Sequence, residues 1–324
     1  MDLDGARTGN GSFGAAMQLV SYLLGPTRIA LGLVAVSAAA VHFRGRSRLR
    51  FSRQLTDHST FTAPYNALVY LASRAPPRPY LDLDDFPGLK TLTENWQVFR
   101  DEGLRLLDEG KVRAATGDND LGFHSFFKHG WKRFYLKWYD HPLPSAQALC
   151  PRSAEILRSV PSVKGAMFAT LPPKANLGKH RDPFAGALRY HLGLRTPNHP
   201  KCWIAVDGVR HSWRDGEAVL FDETFVHEAW NGTDVTRLIL LCDIERPLAA
   251  PMRPLNRWVM RHVMGATGSP NEDGERIGAI NRLYARLAGV QKAIKGLKTK
   301  NRPLYEAQKW ATILAVLGLL LAPY

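Results

Sequence analysis

The sequence predicts a mainly β protein with flanking helices. Its core is a double-stranded β-helix (a jelly roll, cupin-like), with membrane-associated helices at the chain ends. Three observations predict it. Seven short apolar runs follow one another from Gly165 onward: 166–171, 187–194, 202–206, 209–213, 218–221, 225–230 and 236–244. Turn pairs punctuate them: Asp207-Gly208, a strong hairpin signal, then Asp215-Gly216 and Asn231-Gly232. Helical periodicity lies outside this region, and both termini are apolar. Strands of this length with such turns build a sandwich or a barrel.

Taken in chain order, residues 17–24 and 29–41 are apolar, interrupted by Gly25, Pro26 and Arg28. A bilayer span needs about 20 apolar residues, which the stretch reaches only by including Arg28. A secretory signal is the rival reading, but signals carry their positive charge before the apolar core. Here Asp2 and Asp4 precede it, and Arg44, Arg46, Arg48, Arg50 and Arg53 follow. This charge order predicts an anchor with everything after it on the cytoplasmic side. Residues 1–55 are therefore expected to form the anchor and its basic collar.

Residues 56–250 are expected to hold the barrel and a helical part before it. Pro76, Pro77, Pro79 and Pro87 mark a loop-rich stretch. Leu92, Trp96, Phe99, Leu104 and Leu107 recur at helical spacing, which predicts a helix over 92–107. A second, short helix is predicted over 145–157.

Residues 251–324 are expected to form basic amphipathic helices and an apolar end. From Pro251 to Trp310 there are twelve Lys or Arg against four Asp or Glu. Arg253, Arg257 and Arg261, four apart, share a predicted helical face. Trp258, Val259, Ile277, Leu283, Leu287 and Ile294 interleave with the charges. Such helices lie on anionic membranes, each cation contributing about 1 kcal/mol; a solvated helix face is the plainer reading. The apolar run 311–322 is too short to cross a bilayer as a straight helix.

A net charge of +14 favours anionic partners. No zinc-finger spacing, RNP-type aromatic run or basic zipper is present, so a nucleic-acid partner is not expected. Cys150, Cys202 and Cys242 are scattered and odd in number, which predicts buried, reduced thiols and a reducing compartment.

The candidate chemistry lies in His180-Arg181-Asp182 and in His227, with Arg237 ten positions later. His180 and Asp182 are two apart, so on an extended segment they share a face. His227 on a later strand closes the set. Two imidazoles and a carboxylate on one side of a metal leave the other side open, as in non-haem Fe(II) oxygenases. A turn at Asn231-Gly232 is expected to make the strands of His227 and Arg237 antiparallel neighbours. Arginine there suits a carboxylate. Spacing alone leaves open a surface His180 and a merely hydrogen-bonded His227. Asp222 and Glu223 are candidates for fixing the His227 ring or for forming a turn; Trp203, Trp213 and Trp230 read as packing, and Asp243 as structural.

The stretches HRDPFAGALRYHLGL (180–194), WRDGEAVLFDETFVHEAWN (213–231) and TRLILLCDIERP (236–247) resemble the aspartyl/asparaginyl β-hydroxylase family. NWQVFRDE (95–102) and FYLKWY (134–139) also fit, and the resemblance spans roughly 80–247. HRDP followed by RYHLGL, between apolar termini, is most similar to the lipid A hydroxylase branch. The resemblance implies Fe(II), with 2-oxoglutarate and O₂ as co-substrates, and a membrane-bound dioxygenase on the cytoplasmic face of a bacterial inner membrane. It implies His180 and His227 as iron ligands, Arg237 as the partner of the distal 2-oxoglutarate carboxylate, and Arg189 and His191 as further co-substrate contacts. Asp182 departs from the peptide-hydroxylating members, which lack a carboxylate there, and predicts a full triad. The family's co-substrate-binding serine is replaced by Ala169, beside Thr170. The expected reaction is 2-hydroxylation of a secondary acyl chain of lipid A, an anionic lipid. Ornithine lipid, or a peptidyl Asp or Asn, is the alternative substrate, and a non-catalytic β-barrel membrane scaffold is the alternative of another class.

Overall fold

The structure, a computed structural model, describes residues 25–54 and 57–321. The apolar run 17–24 and Ala322 lie outside the described residues. Two compact units result: residues 40–288, and the described parts of 1–39 and 289–324.

The first unit is a two-sheet barrel. Its strands are β1 (Tyr80–Leu81), β2 (Lys132–Trp138), β3 (Val163–Leu171), β4 (Asn176–His180), β5 (Ala187–Arg195), β6 (Cys202–Val206), β7 (Val209–Ser212), β8 (Ala218–Phe221), β9 (His227–Asn231) and β10 (Arg237–Glu245). The major sheet runs β1-β8-β5-β10-β3-β2 and the minor sheet β4-β9-β6-β7, every pairing antiparallel. This is the predicted jelly roll. All seven apolar runs are strands. β1, β2 and β4 were not among them: β4 has one buried residue in five, so no apolar pattern marks it.

Asp207-Gly208 closes the β6–β7 hairpin with φ of 52° and 84°. Two positive φ values match the twist of the flanking strands, and a short polar residue followed by glycine tolerates them. Asn231-Gly232 behaves otherwise. β9 pairs in the minor sheet and β10 in the major one, so the two strands are not neighbours. The Asn231 side chain donates to the carbonyls of Leu171, Pro172 and Val235 and pins the crossing between sheets instead of closing a hairpin.

The labelled helices are α1 (Pro26–Phe43), α2 (Ala63–Ala72), α3 (Trp96–Asp108), α4 (Pro151–Ser159), α5 (Arg253–Val259), α6 (Ala279–Lys300) and α7 (Arg302–Leu321). The helix predicted over 92–107 is interrupted at Asn95, whose side chain bonds the Thr91 carbonyl. Phe99 and Leu106 are fully buried, and Gly103 lets α3 approach the major sheet: a Cβ there would meet the Phe168 ring at 3.2 Å. This cover explains why β3, β5 and β10 are buried along nearly their whole length. The helix predicted over 145–157 is two helices, Pro144–Leu149 and α4, because Pro151 restricts Cys150 and lacks an N–H. All three cysteines are buried and free.

α1 is long and apolar enough to cross a membrane, and it is the one such helix among the described residues. The basic stretch has partners in the protein as well. Arg253, Arg257 and Arg261 do lie along one side of α5 and its π-helical continuation (Met260–Met264). However, Arg257 pairs with Glu245 at 2.9 Å, Arg261 with Asp140 at 3.3 Å, and Arg253 bonds the Leu248 carbonyl. Residues 251–288 pack with the barrel: Asn256, Met260, Ser269, Asn271 and Asn281 are all buried.

Candidate active site

His180 ends β4, His227 begins β9, and the two are register partners. Asp182 follows two residues after His180, and its backbone N–H donates to the Glu223 carbonyl at 3.0 Å, tying the two ligand-bearing loops together. One donor atom from each of the three lies within 4.8 Å of the others. His180 Nε2 and His227 Nε2 stand 3.9 and 4.0 Å from Asp182 Oδ1, and the imidazole centroids are 4.2 Å apart.

Both rings are held for coordination. His180 Nδ1 bonds the Gly178 carbonyl at 2.7 Å and His227 Nδ1 the Phe225 carbonyl at 3.0 Å. A carbonyl only accepts, so Nδ1 carries the proton and the Nε2 lone pair is free. Burial, and then the neighbouring His227, push His180 down to about 3; burial also lowers His227. Neutral imidazoles are the ligating form. The carbonyls of residues two before each histidine do this work, so neither Asp222 nor Glu223 fixes the His227 ring.

Arg189 gathers three carboxylates of the protein around it. It donates to Asp182 Oδ2 at 2.9 Å, pairs with Asp243 at 3.0 Å and makes a close ion pair with Glu223. Tyr139 donates to the other Asp243 oxygen at 2.9 Å. Burial alone would raise the Asp182 carboxyl; Arg189 and the two histidines reverse this and hold it below the usual range. Burial pushes Glu223 well above it. Asp182 thus turns one oxygen toward the imidazoles and keeps the other on Arg189.

Deeper in the barrel, Arg237 is buried and stacks on Trp213, its guanidinium carbon 4.3 Å from the ring centroid. No carboxylate lies within ion-pair distance of it among the described residues, and its Nε has no partner. Burial pushes its guanidinium down to about 10. His191 lies between Phe221 and Trp213 (centroids at 5.0 and 5.9 Å), with both ring nitrogens unpartnered. Burial, then Arg237, lower it well below its ordinary value. A buried cation beside unsatisfied polar atoms is costly unless an anion joins it. An oxo-acid reaching from the metal toward Arg237 satisfies that demand. Two imidazoles and one carboxylate with an open side also suit Fe(II). The donor set and the unpaired arginine therefore fit iron and a dicarboxylate co-substrate. Ala169 and Thr170 are buried on β3, opposite Ile239 and Leu238 of β10.

Other residues here carried no signal in the sequence. Phe126 sets its ring edge-on against His180 at 4.9 Å. Arg181, between His180 and Asp182, is fully buried and donates to the carbonyls of Val41, His42 and Arg44. Arg44, of the basic collar, binds Asp222 at 2.7 Å and also Thr224, while Arg246 takes Asp222 at 2.8 Å. Sequence distance hides these partners: Arg44 and Asp222 are 178 residues apart.

The family model described as aspartyl/asparaginyl beta-hydroxylase matches residues 93–247. The ornithine lipid ester-linked acyl 2-hydroxylase of Rhizobium tropici is 37% identical over 187 residues, 57% of this chain and 66% of that protein. The human aspartyl/asparaginyl beta-hydroxylase is 28% identical over 170 residues, 51% of this chain and 22% of that one. The chain thus spans just under two thirds of the first relative and about a fifth of the second. Among solved structures, a Pseudomonas putida prolyl-4-hydroxylase aligns with TM-score 0.32 and 18% identity, covering 48% of this chain and 87% of that one.

Proposed function

From the premise that this chain belongs to the aspartyl/asparaginyl β-hydroxylase family, we propose that it is an Fe(II)- and 2-oxoglutarate-dependent hydroxylase acting on an acyl chain of a membrane lipid. The observation that carries the reading is a three-donor cluster and an unpaired buried arginine in one barrel, linked by the rings of His227, Phe221, His191 and Trp213. His180, Asp182 and His227 converge on one point, and Arg237 waits beyond them as a buried cation without an acid.

Bound iron supplies oxygen activation coupled to oxidative decarboxylation of the co-substrate. The chain's residues bind and orient. His180 and His227 present Nε2, their Nδ1 protons committed to backbone carbonyls. Asp182 offers Oδ1 while Arg189 fixes Oδ2. Arg237 neutralises the far carboxylate, and Trp213 holds the guanidinium flat against its ring. His191 offers unsatisfied nitrogens to the same ligand. Phe126, Phe221 and Trp213 keep water from the reacting centre.

A lipid substrate is supported by the Rhizobium relative, which is named for an ester-linked acyl chain, and by α1. The sequence pattern points to lipid A, and the 37% identity favours ornithine lipid as the second reading. Membrane attachment through α1, with the barrel on the cytoplasmic side of a bacterial inner membrane, completes the proposal. The domain division at residues 55 and 250 is likewise part of it, with residues 251–288 packed on the barrel.

Lipid mass spectrometry of cells with and without the gene tests this reading. Gain of one oxygen on an acyl chain of lipid A supports the first substrate, and a change confined to ornithine lipid the second. If neither lipid changes while the purified protein still forms succinate with iron and 2-oxoglutarate, the lipid reading falls and the enzyme class stands. Absence of succinate removes both.

A further inference from the structure

Two helices converge on the loop that follows Asp182, and the end of a third meets the residue before it. On α2, Asn66 donates to the Pro183 carbonyl at 2.9 Å and accepts from the Ala185 N–H at 3.0 Å, and Tyr65 stacks on Phe184. On α5, Asn256 donates to the Gly186 carbonyl at 3.2 Å and accepts from the Tyr65 hydroxyl. Both asparagines are buried, so the inner sides of α2 and α5 are fixed on residues 183–186. The last turn of α1 meets the residue just before Asp182 instead: Arg181 bonds the carbonyls of Val41 and His42.

The outer sides are apolar and uncovered. Leu71 is 87% exposed and Leu68 52% on α2, Phe61 is 79% exposed in the turn before it, and Trp258 is 56% and Leu255 42% exposed on α5. Around α5, at 100° per residue, Trp258 lies on the side away from the buried Asn256, with Leu255 on one flank of it and Arg257 on the other. Leucine, phenylalanine and tryptophan on one side with arginine beside them is the make-up of a helix lying in a bilayer interface. A membrane is the occupant that the rest of the chain favours. The apolar helix α1 ends against Arg181, next to Asp182, and the net charge of +14 favours an anionic surface.

We propose that Phe61, Leu68, Leu71, Leu255 and Trp258 seat the barrel on an anionic bilayer. The metal-bearing loop then lies about one helix diameter, roughly 10 Å, from the lipid. This rests on the membrane-lipid reading above and adds the face through which the barrel meets its substrate.

The test uses the full-length protein in vesicles of phosphatidylcholine and phosphatidylglycerol with brominated acyl chains. The native cysteines are buried, so a fluorophore can be placed selectively through Leu71→Cys or Trp258→Cys. Val36→Cys on α1 reports the anchor, and Val235→Cys, beyond the opposite end of β10, reports water. Leu71 is almost wholly exposed, so its replacement loses little packing. Lipid bromine is expected to quench the labels at 71 and 258 several-fold more than that at 235. Quenching at 36 but not at 71 and 258 overturns the docking face and leaves the anchor standing. A label at 71 that is hidden from water yet untouched by bromine means that protein covers the face, which also overturns it. If position 36 is unquenched as well, the membrane reading fails with it.

Discussion

Arg189 donates to the oxygen of Asp182 that is turned away from His180 and His227, at 2.9 Å. The arginine therefore sets the direction of the carboxylate, and it also meets Glu223 and Asp243. Arg189→Met leaves three buried acids without their cation. Loss of one partner of a buried ion cluster costs about 3–5 kcal/mol, read as a lower denaturation midpoint at unchanged slope. Metal affinity should fall about 10- to 100-fold, as for other residues that orient ligands. Anaerobic titration with Fe(II) or Co(II) measures it, and wild-type affinity in a folded Arg189→Met protein removes the orienting role.

Asp182→Ala separates a three-residue site from a two-histidine one. With Asp182 as a ligand, Fe(II) affinity drops by at least about 10-fold, and the Co(II) absorption bands shift as an oxygen donor is lost. His227→Ala should abolish binding. Unchanged Co(II) bands in Asp182→Ala would reduce the site to the two imidazoles.

Arg237→Met makes opposite predictions for the free and the loaded protein. The guanidinium is buried on Trp213 with no acid beside it, and burial has pushed it down to about 10. Removing an unpaired buried charge does not destabilise the free protein, so its melting temperature stays level or rises. The co-substrate loses a charge-assisted hydrogen bond of about 1.5–3 kcal/mol, a rise in KM of about 10- to 100-fold, with iron affinity intact. A large loss of stability in the free protein would mean that Arg237 has another partner.

Much of this was legible in the sequence because it was local. Seven strands, the Asp207-Gly208 hairpin and the facing pair His180 and Asp182 follow from period-two patterns, turn chemistry and short spacing. What was not legible depends on distant partners. Asn231-Gly232 has the composition of a hairpin turn, yet bonds to Leu171, Pro172 and Val235 turn it into a crossing between sheets. Arg44 stands in a run of arginines that reads as a solvated collar until Asp222 is beside it. The bonds that orient both metal-site imidazoles are to backbone carbonyls, which no side-chain pattern reveals.

Asp222 predicts an acid limit to stability. Burial alone would raise its carboxyl, but Arg246 and Arg44 outweigh burial and hold it below the usual range. A carboxyl lowered by folding adds stability that is fully present above its unfolded value, near 4, and is lost as pH falls below that. Asp222→Asn should flatten the stability profile below about pH 4 and lower stability at neutral pH. Chemical denaturation across pH checks this, and a wild-type acid limb in Asp222→Asn would reject it.

Arg181 joins the metal site to the end of α1. Its guanidinium is fully buried and bonds three carbonyls at and just past the C-terminus of α1, those of Val41, His42 and Arg44; the Val41 carbonyl also accepts from the Arg44 N–H. Arg44 then reaches Asp222 and Thr224, three to five residues before His227, and the N–H groups of Arg46 and Ser47 donate to Asp207 at 2.7 Å. Residues 41–47 thus brace the segments that carry Asp182 and His227. Arg181→Met should weaken Fe(II) binding about 10-fold, with Arg181→Lys recovering part of it by donating to fewer carbonyls. Arg133→Met, which breaks the buried Arg133–Asp120 pair elsewhere in the barrel, supplies the comparison. It should lower the melting temperature as much while leaving metal affinity alone. Equal loss of affinity in both variants would mean that Arg181 acts through general stability and not through the ligand loops.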